Sequence, residues 1–374
     1  MGKIKILELL SDGGYGSPRA QILSLLRHAD RDRFQISVAA HGKEILEKDV
    51  RSSGFSFYDL DLPKILRSRF LSRLQNLYFK ERFDIIHSYG AIGGFYGRLL
   101  KKHEPSVKCV HTIHGINYLN KERFFQKNIS KTIEQYLVQF TDMTICESLN
   151  EMKIAFENKI ANPKNTIVVN PGVDIRKFSA NSTNIELLNE LGLNPGDFIV
   201  GNVSRFEIQK NQKLIIQASY YLSKKYPEMK FVLVGDGKYF KQMKSYARDS
   251  RLEDVVIFAG ERENIVDYYS IFDVFVLPSF WEGVPSVLLE AMASKLPIVC
   301  SNLANHLEII KNNISAFTIN PYEMEDLFHR IKVLYENAEL RNKLRENAFE
   351  DVQNFDEKDH VKKILKVYTE VMED

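Results

Sequence analysis

The 374-residue sequence predicts an α/β protein built as two Rossmann-like, doubly wound parallel-sheet domains that face across a cleft. Three observations carry that expectation. Short apolar runs alternate with helix-forming segments along most of the chain. The alternation runs twice, broken by an Asn-rich stretch from Ser179 to Asn184 and by the turn Leu193-Asn194-Pro195-Gly196-Asp197. Turns bearing Gly, Ser or Pro follow several strands, at the carboxyl edge where open parallel sheets bind ligands.

In order, Ile4 to Leu10 reads as a first strand buried on both faces. A glycine-rich turn follows, then a helix with Pro18 near its start, where a missing N–H is harmless. Further strands are expected at Phe34–Ala40, Phe55–Leu60, Asp84–His87, Lys108–Ile113, Met143–Cys146 and Thr166–Val169. Helices fall at Leu66–Phe79, Gly93–Leu100 and Lys131–Phe140. This makes residues 1–170 the first domain and 171–196 a linker. The second domain, 197–355, has strands at Phe198–Val203, Lys230–Val234, Val255–Phe258, Val274–Leu277 and Ile298–Cys300. Its helices are expected at Asn211–Lys225, Tyr239–Asp249 and Ile265–Phe272. Val361, Ile364, Val367 and Tyr368 mark an amphipathic last helix, within 356–374.

Hydrophobic residues at 44% and charged residues at 27% are ordinary for a water-soluble globular protein. No apolar run reaches the ~18–20 residues of a membrane span. The start, MGKIKILELL, runs directly into a strand pattern, so no cleavable signal is expected. Three scattered cysteines, Cys109, Cys146 and Cys300, fit buried thiols in a reducing cytoplasm. Residues 1–170 carry 26 Lys and Arg against 18 Asp and Glu, and the remainder 25 against 31. A basic first half beside an acidic second half points to an anionic partner. Nucleic acid is not expected, for no recognised motif accompanies the charge. The cytoplasmic face of a membrane is the better match, met by the basic amphipathic segment Lys64 to Leu74 and by Arg123, Phe124, Phe125 and Lys127.

The most informative stretch is Asp273 to Cys300, DVFVLPSFWEGVPSVLLEAMASKLPIVC. It reads as strand, loop, helix, strand. Glu282 lies in the loop and Glu290 in the second helical turn, and eight helical positions span ~12 Å. Unpaired N–H groups at the helix start face whatever is negative. Arg205 and Lys210, after the strand Phe198–Val203, stand where an anion would be met. Gly13 and Gly14 after the first strand let backbone approach a phosphate, although no G-x-G-x-x-G is in register there or at Gly235-Asp236-Gly237. Asp59-Leu60-Asp61 imitates a D-x-D metal motif but belongs to a strand end, so no metal or other cofactor is expected.

The segment around Glu282 resembles the E-x7-E signature of retaining GT-B glycosyltransferases of the family 4, or group 1, type. Pro278-Ser279, Glu282-Gly283, Pro285, the run Leu289 to Ala293, and Pro297-Ile298-Val299 all stand in their usual places. The resemblance implies a metal-independent, retaining transfer of sugar from a nucleotide-sugar donor, UDP-linked, to a lipid-linked or polysaccharide acceptor in cell-surface glycan synthesis such as lipopolysaccharide or capsule. It implies that Arg205, Lys210 and the Gly13-Gly14 loop stabilise the departing diphosphate, with Gly235 in the corresponding G-D-G turn. Glu282 and the N–H groups of Gly283 and Val284 would hold the sugar, and Glu290 the ribose. His114, in the pattern His114-Gly115, would lie against the donor sugar, and the last helix would return to the first domain. Glu308 is a further candidate. Leu303-Ala304-Asn305 and Ile314-Ser315-Ala316 replace glycines usual near it, which leaves sugar and acceptor choice open. Two rivals remain at this stage: a small-molecule glycosyltransferase and a catalytically silent sugar-nucleotide-binding subunit.

Overall fold

The computed structural model describes residues 2–373 apart from 12–13, 15, 42–43, 61–67, 117–123 and 181. The chain forms two compact units, Met1–Gly172 with Glu357–Asp374, and Val173–Asp356.

Unit 1 holds a seven-stranded sheet in the order β3-β2-β1-β4-β5-β6-β7. Its strands are β1 (Ile4–Leu9), β2 (Phe34–Ala40), β3 (Ser56–Asp59), β4 (Ile85–Tyr89), β5 (Lys108–Ile113), β6 (Met143–Cys146) and β7 (Thr166–Val168). Every pairing is parallel, with Ile6 opposite Ile36 on one side and Ile85 on the other. Helices α1 (Ser17–His28), α2 (Glu44–Ser52), α3 (Ser68–Glu81), α4 (Gly90–His103), α5 (Phe124–Leu137) and α6 (Leu149–Glu157) make the crossovers. Near-continuous apolar strands follow from helices covering both faces. α4 packs flush because it is glycine-rich: a Cβ at Gly93 would stand 2.7 Å from the Leu9 carbonyl oxygen.

Unit 2 opens with α7 (Ile175–Ser179) and α8 (Ile185–Glu190). Its six-stranded sheet runs β10-β9-β8-β11-β12-β13, again wholly parallel. The strands are β8 (Phe198–Val203), β9 (Met229–Val234), β10 (Val256–Gly260), β11 (Val274–Leu277), β12 (Ile298–Ser301) and β13 (Phe317–Ile319). Helices α9 (Gln212–Lys225), α10 (Phe240–Asp249) and α14 (Met324–Glu336) build one apolar core. Helices α11 (Ile265–Ile271) and α12 (Ser286–Ala293), with the end of α15 (Ala338–Val352), build another; α13 (Ala304–Leu307) is a single turn. α16 (Glu357–Glu373) then belongs to unit 1.

Residues 171–196 are not a linker. Ile175, Phe178, Leu187, Leu188 and Leu193 are buried in the core of unit 2. The polar residues that suggested a linker are helix caps: Asp174 accepts from the Lys177 N–H and Asn184 from the Leu187 N–H. The chain passes from one unit to the other at Gly172 and returns at Glu357. The helix expected over Lys131–Phe140 begins earlier, at Phe124, and ends at Leu137, followed by a 3-10 turn to Phe140. Residues 64–67 of the basic segment, Arg123 and Asp61 lie outside the described residues.

α16 is a core element of unit 1, with Val361, Ile364, Val367, Tyr368 and Val371 buried against β1, β2 and β4. The Tyr368 hydroxyl donates to Glu8 Oε1 at 2.7 Å, and the Tyr89 hydroxyl to Glu8 Oε2 at 3.0 Å. His87, on β4, sits 2.6 Å from the Tyr368 hydroxyl through Nδ1 and 2.8 Å from Thr112 Oγ1 through Nε2. Burial, then the Glu8 carboxyl, raises both tyrosine phenols well above their usual range. Removing one hydroxyl leaves a buried carboxyl group short of a donor. Tyr368→Phe should therefore cost about 1–3 kcal/mol. The expected readout is a lower urea midpoint with faster hydrogen exchange in β1 and β4, while exchange in β8 and β11 stays as it was.

Candidate functional site

In each sheet the strand order reverses once, between β1 and β4 and between β8 and β11. Loops after strands at such a reversal diverge and leave a crevice for a ligand. Several of the residues singled out in the sequence lie on these loops: Gly14 after β1, Arg205 and Lys210 after β8, and Glu282 after β11.

In unit 2, β8 and β11 are hydrogen-bonded neighbours, so the loops that follow them meet. A 3-10 turn, Ile208–Lys210, ends at Asn211 in the left-handed conformation (φ 54). That turn is pinned by Asn211 Nδ2, which donates to the Pro278 oxygen at 3.2 Å and the Pro321 oxygen at 2.9 Å. The Lys210 ammonium is thereby directed onto Glu282 Oε1, and the two side chains are only 12% and 6% exposed. Ser279 Oγ donates to Glu282 Oε1 at 2.7 Å, and Gln209 Nε2 to Glu282 Oε2 at 3.0 Å. Arg205 is exposed and makes no ion pair among the described residues. The N–H groups of Gly283 and Val284 donate to no described residue.

Gly235 (φ +132) supports the Arg205 loop from behind. A Cβ there would lie 2.1 Å from the Ser204 carbonyl oxygen, so only glycine permits the approach. Glu290 points elsewhere than Glu282, accepting from the Tyr269 hydroxyl at 2.8 Å. Burial pushes its carboxyl up to about 7 against the opposing pull of that hydroxyl and of Lys177. Glu308 ends α13 as its C-cap. Two residues before the end of that helix, Asn305 Nδ2 donates to the Glu282 carbonyl oxygen at 2.7 Å. His306 is fully buried, its Nδ1 2.9 Å from the Ser301 carbonyl oxygen, and burial lowers it to about 4.

In unit 1, Gly13 lies outside the described residues, and Gly14 stands in the bend after β1. His114 follows β5, and Gly115 (φ +76) turns the chain sharply behind it. His114 Nδ1 is 3.0 Å from Glu147 Oε1, and Gln21 Nε2 donates to the same oxygen at 2.6 Å. The Gly115 N–H donates to Glu151 Oε1 at 2.9 Å, and the Glu147 N–H to Glu151 Oε2 at 2.7 Å. Burial and the Glu147 carboxylate raise Glu151 above the usual carboxylate range. His111, on β5, is buried with its Nδ1 3.1 Å from Ser88 Oγ, and burial, then Arg98, holds it well below the ordinary histidine value.

Sequence reasoning missed Gln21, Glu147, Glu151, Gln209, Tyr269, Ser279 and Asn305. A signal for one of them exists: Ser148-x-x-Glu151 after a strand is a helix-start pattern, and Ser148 does cap α6 by accepting from the Glu151 N–H at 2.9 Å. Nothing local announces Gln21, whose partner is 126 residues away. Among the described residues no three His, Cys, Asp or Glu side chains converge as metal ligands.

The family model described as Glycosyl transferases group 1 matches residues 184–351, and that described as Glycosyltransferase Family 4 matches residues 20–177. A UDP-Gal:alpha-D-GlcNAc-diphosphoundecaprenol alpha-1,3-galactosyltransferase of Escherichia coli is 28% identical, over 84% of this chain and 82% of its own. The putative glycosyltransferase EpsD of Bacillus subtilis (strain 168) is 26% identical, over 91% of this chain and 90% of its own. Among solved structures, Anabaena HepE in complex with UDP and glucose superposes with a TM-score of 0.85 at 20% identity, covering 98% of this chain and all of that one. The same protein with UDP-glucose gives 0.84, covering 98% of this chain and 99% of that one. These likenesses establish the GT-B fold.

The burial of Glu290 has a pH consequence. Its folded value is about 7 against 4.5 when unfolded, so between those values the folded chain keeps a proton that the unfolded chain has lost. Stability from this group is full below about pH 4.5 and is lost as pH rises through 7, by at most about 3 kcal/mol. Urea unfolding at several pH values should show that slope in the unliganded chain and a flatter one in Glu290→Gln.

Proposed function

The chain belongs to the GT-B glycosyltransferases of family 4, the group 1 type, and on that premise we propose that it moves a sugar from a UDP-linked donor to a lipid-linked or polysaccharide acceptor, with retention and without a metal ion. It is a glycosyltransferase acting on nucleotide sugars. The observation that carries the finer reading is the set Arg205, Lys210 and Glu282 on the adjoining loops after β8 and β11.

Cleaving a sugar–diphosphate bond places growing negative charge on the leaving nucleoside diphosphate. Fixed cations and backbone N–H groups stabilise that charge with no reorganisation during the step. Arg205, which makes no ion pair among the described residues, meets the diphosphate first, and the Gly13-Gly14 loop contributes backbone N–H groups to the same ligand. Lys210 already lies at the same edge. Glu282 exchanges part of its present bonding for sugar hydroxyls, alongside the N–H groups of Gly283 and Val284. Glu290 holds the ribose, and His114 contacts the sugar next to the reacting carbon. The resemblance of the Glu282–Glu290 segment to the E-x7-E signature supports retention, which is tested by the anomeric configuration of the product. The names of the relatives support a UDP donor, and that of the E. coli relative supports an acceptor on a lipid diphosphate.

Two tests bear on this reading. Calorimetry of nucleoside diphosphates and nucleotide sugars, with chelator present, should select UDP ligands. Arg205→Ala, an exposed substitution, should weaken UDP binding about tenfold or more. Glu282→Gln should lower turnover by about two orders of magnitude. Unchanged UDP affinity in the first variant and unchanged turnover in the second overturn the assignment.

A peripheral position on the inner membrane face fits the same acceptor. No described helix is long and apolar enough to cross a membrane. α5 instead exposes Ile129, Ile133 and Tyr136, one stripe at helical spacing, and the Lys102 ammonium lies 5.4 Å from the Tyr136 ring. Ile129→Glu with Ile133→Glu should abolish co-sedimentation with anionic liposomes while leaving UDP binding intact.

A further inference from the structure

The contacts around Glu147 go beyond a structural ion pair. We propose that Glu147 is the positioning residue for His114, holding its imidazole with the proton on Nδ1 and presenting Nε2 as a hydrogen-bond acceptor. The proposal rests on the reading above that His114 serves the donor sugar.

Four observations support it. The Glu147 side chain is 3% exposed while that of His114 is 20% exposed, so the carboxylate lies behind the ring. A carboxylate oxygen stands 3.0 Å from Nδ1, an ion-pair approach off the line of a full hydrogen bond, and its charge favours a proton on that nitrogen. The carboxylate is itself fixed by Gln21 Nε2, which also donates to Ser17 Oγ at 3.1 Å. The main chain of Glu147 is tied at both ends: its N–H donates to Glu151 at 2.7 Å, and its carbonyl accepts from Asn170 Nδ2 at 2.9 Å. Glu151 then grips the Gly115 N–H, so the start of α6 fixes His114 through both its side chain and its following peptide. Ser17 and Gln21 stand on the first turns of α1, the helix after the glycine-rich turn. One carboxylate thus sets the imidazole relative to the loop expected at the diphosphate.

An acceptor nitrogen takes a hydrogen from a sugar hydroxyl. Protonating it turns the acceptor into a donor and reverses that hydrogen bond, so the neutral ring is the form that takes a hydroxyl hydrogen. Among the described residues, the titratable groups that interact with this ring or its carboxylate include Glu147 and Glu151 at the start of α6, Tyr89 at the end of β4 and His360 on α16. His111 and Glu134 line the small recess beside His114. Of these, the Glu147 carboxylate is the charge at contact distance, and it stabilises the imidazolium. Removing its charge lowers the pH at which His114 takes up its second proton.

Nitrogen-15 spectra of histidine side chains in the full chain test this without any substrate, with His114 assigned by its loss in His114→Gln. The expected neutral form carries its proton on Nδ1 and has a bare Nε2. Glu147→Gln keeps an oxygen for Nδ1–H, so the tautomer should persist while the midpoint falls by about one pH unit. Glu147→Leu should give mixed tautomers. An unmoved midpoint in Glu147→Gln overturns the proposal, as does a wild-type proton on Nε2; both readouts survive if Glu147→Leu fails to fold. A chain that shows the tautomer and the shift yet transfers no sugar supports the pairing and overturns the glycosyl-transfer reading of the site instead.

Discussion

A lysine ammonium and a glutamate carboxylate share one nearly dry volume where two loops of unit 2 meet. Taking both charges out of water costs several kcal/mol for each, and their attraction repays it only when the remaining lone pairs are also satisfied. Ser279 and Gln209 do that for Glu282, and the arrangement ties the loops together in turn. The Phe280 N–H donates to the Gln209 carbonyl at 2.8 Å, and Gln209 Nε2 to the Trp281 carbonyl at 2.7 Å. Strand order comes first: because β8 and β11 are neighbours, their loops have nowhere else to go. On the proposed function, a diphosphate and a sugar entering here would compete with bonds that already exist, and recognition would be an exchange of partners inside a fixed frame.

Unit 1 solves a related problem with backbone donors. Glu151 accepts two main-chain N–H groups, which favours its charged form against burial and the neighbouring carboxylate. The result is a turn after β5 that cannot drift relative to the start of α6. Both units thus place a glycine next to one member of a carboxylate pair, Gly115 at φ +76 beside His114, which meets Glu147, and Gly283 beside Glu282, which meets Lys210.

Periodicity and turn chemistry made most of the architecture legible. Phe198–Val203, Val274–Leu277 and Ser286–Ala293 coincide with β8, β11 and α12, because uninterrupted apolar runs and a helix free of Gly and Pro admit few other readings. The three-residue β13 was too short to stand out, and the caps Asp174 and Asn184 looked like linker because a capping side chain and a loop side chain are the same residue types. For the candidate site, residues of a single loop could be named from the sequence alone, as with Arg205 and Lys210 after one strand. Those supplied from another element were not, since Gln21 and Asn305 earn their place only through contacts that the fold creates. The His114–Glu147 pair joins two strand ends, and no spacing rule spans that distance in sequence.

The burial of Tyr368 beside Glu8 joins residues 360 positions apart in sequence. A ribosome releases β1 long before α16, and unit 2 must emerge between them. During that interval the groove awaiting α16 exposes Ile6, Ile36 and Val38, with Glu8 lacking one of its two hydroxyl partners. Nascent chains in that condition are the species that chaperones hold and proteases cut. Any truncation that removes α16 therefore leaves this groove uncovered, and it will be as damaging to unit 1 as the loss of a strand.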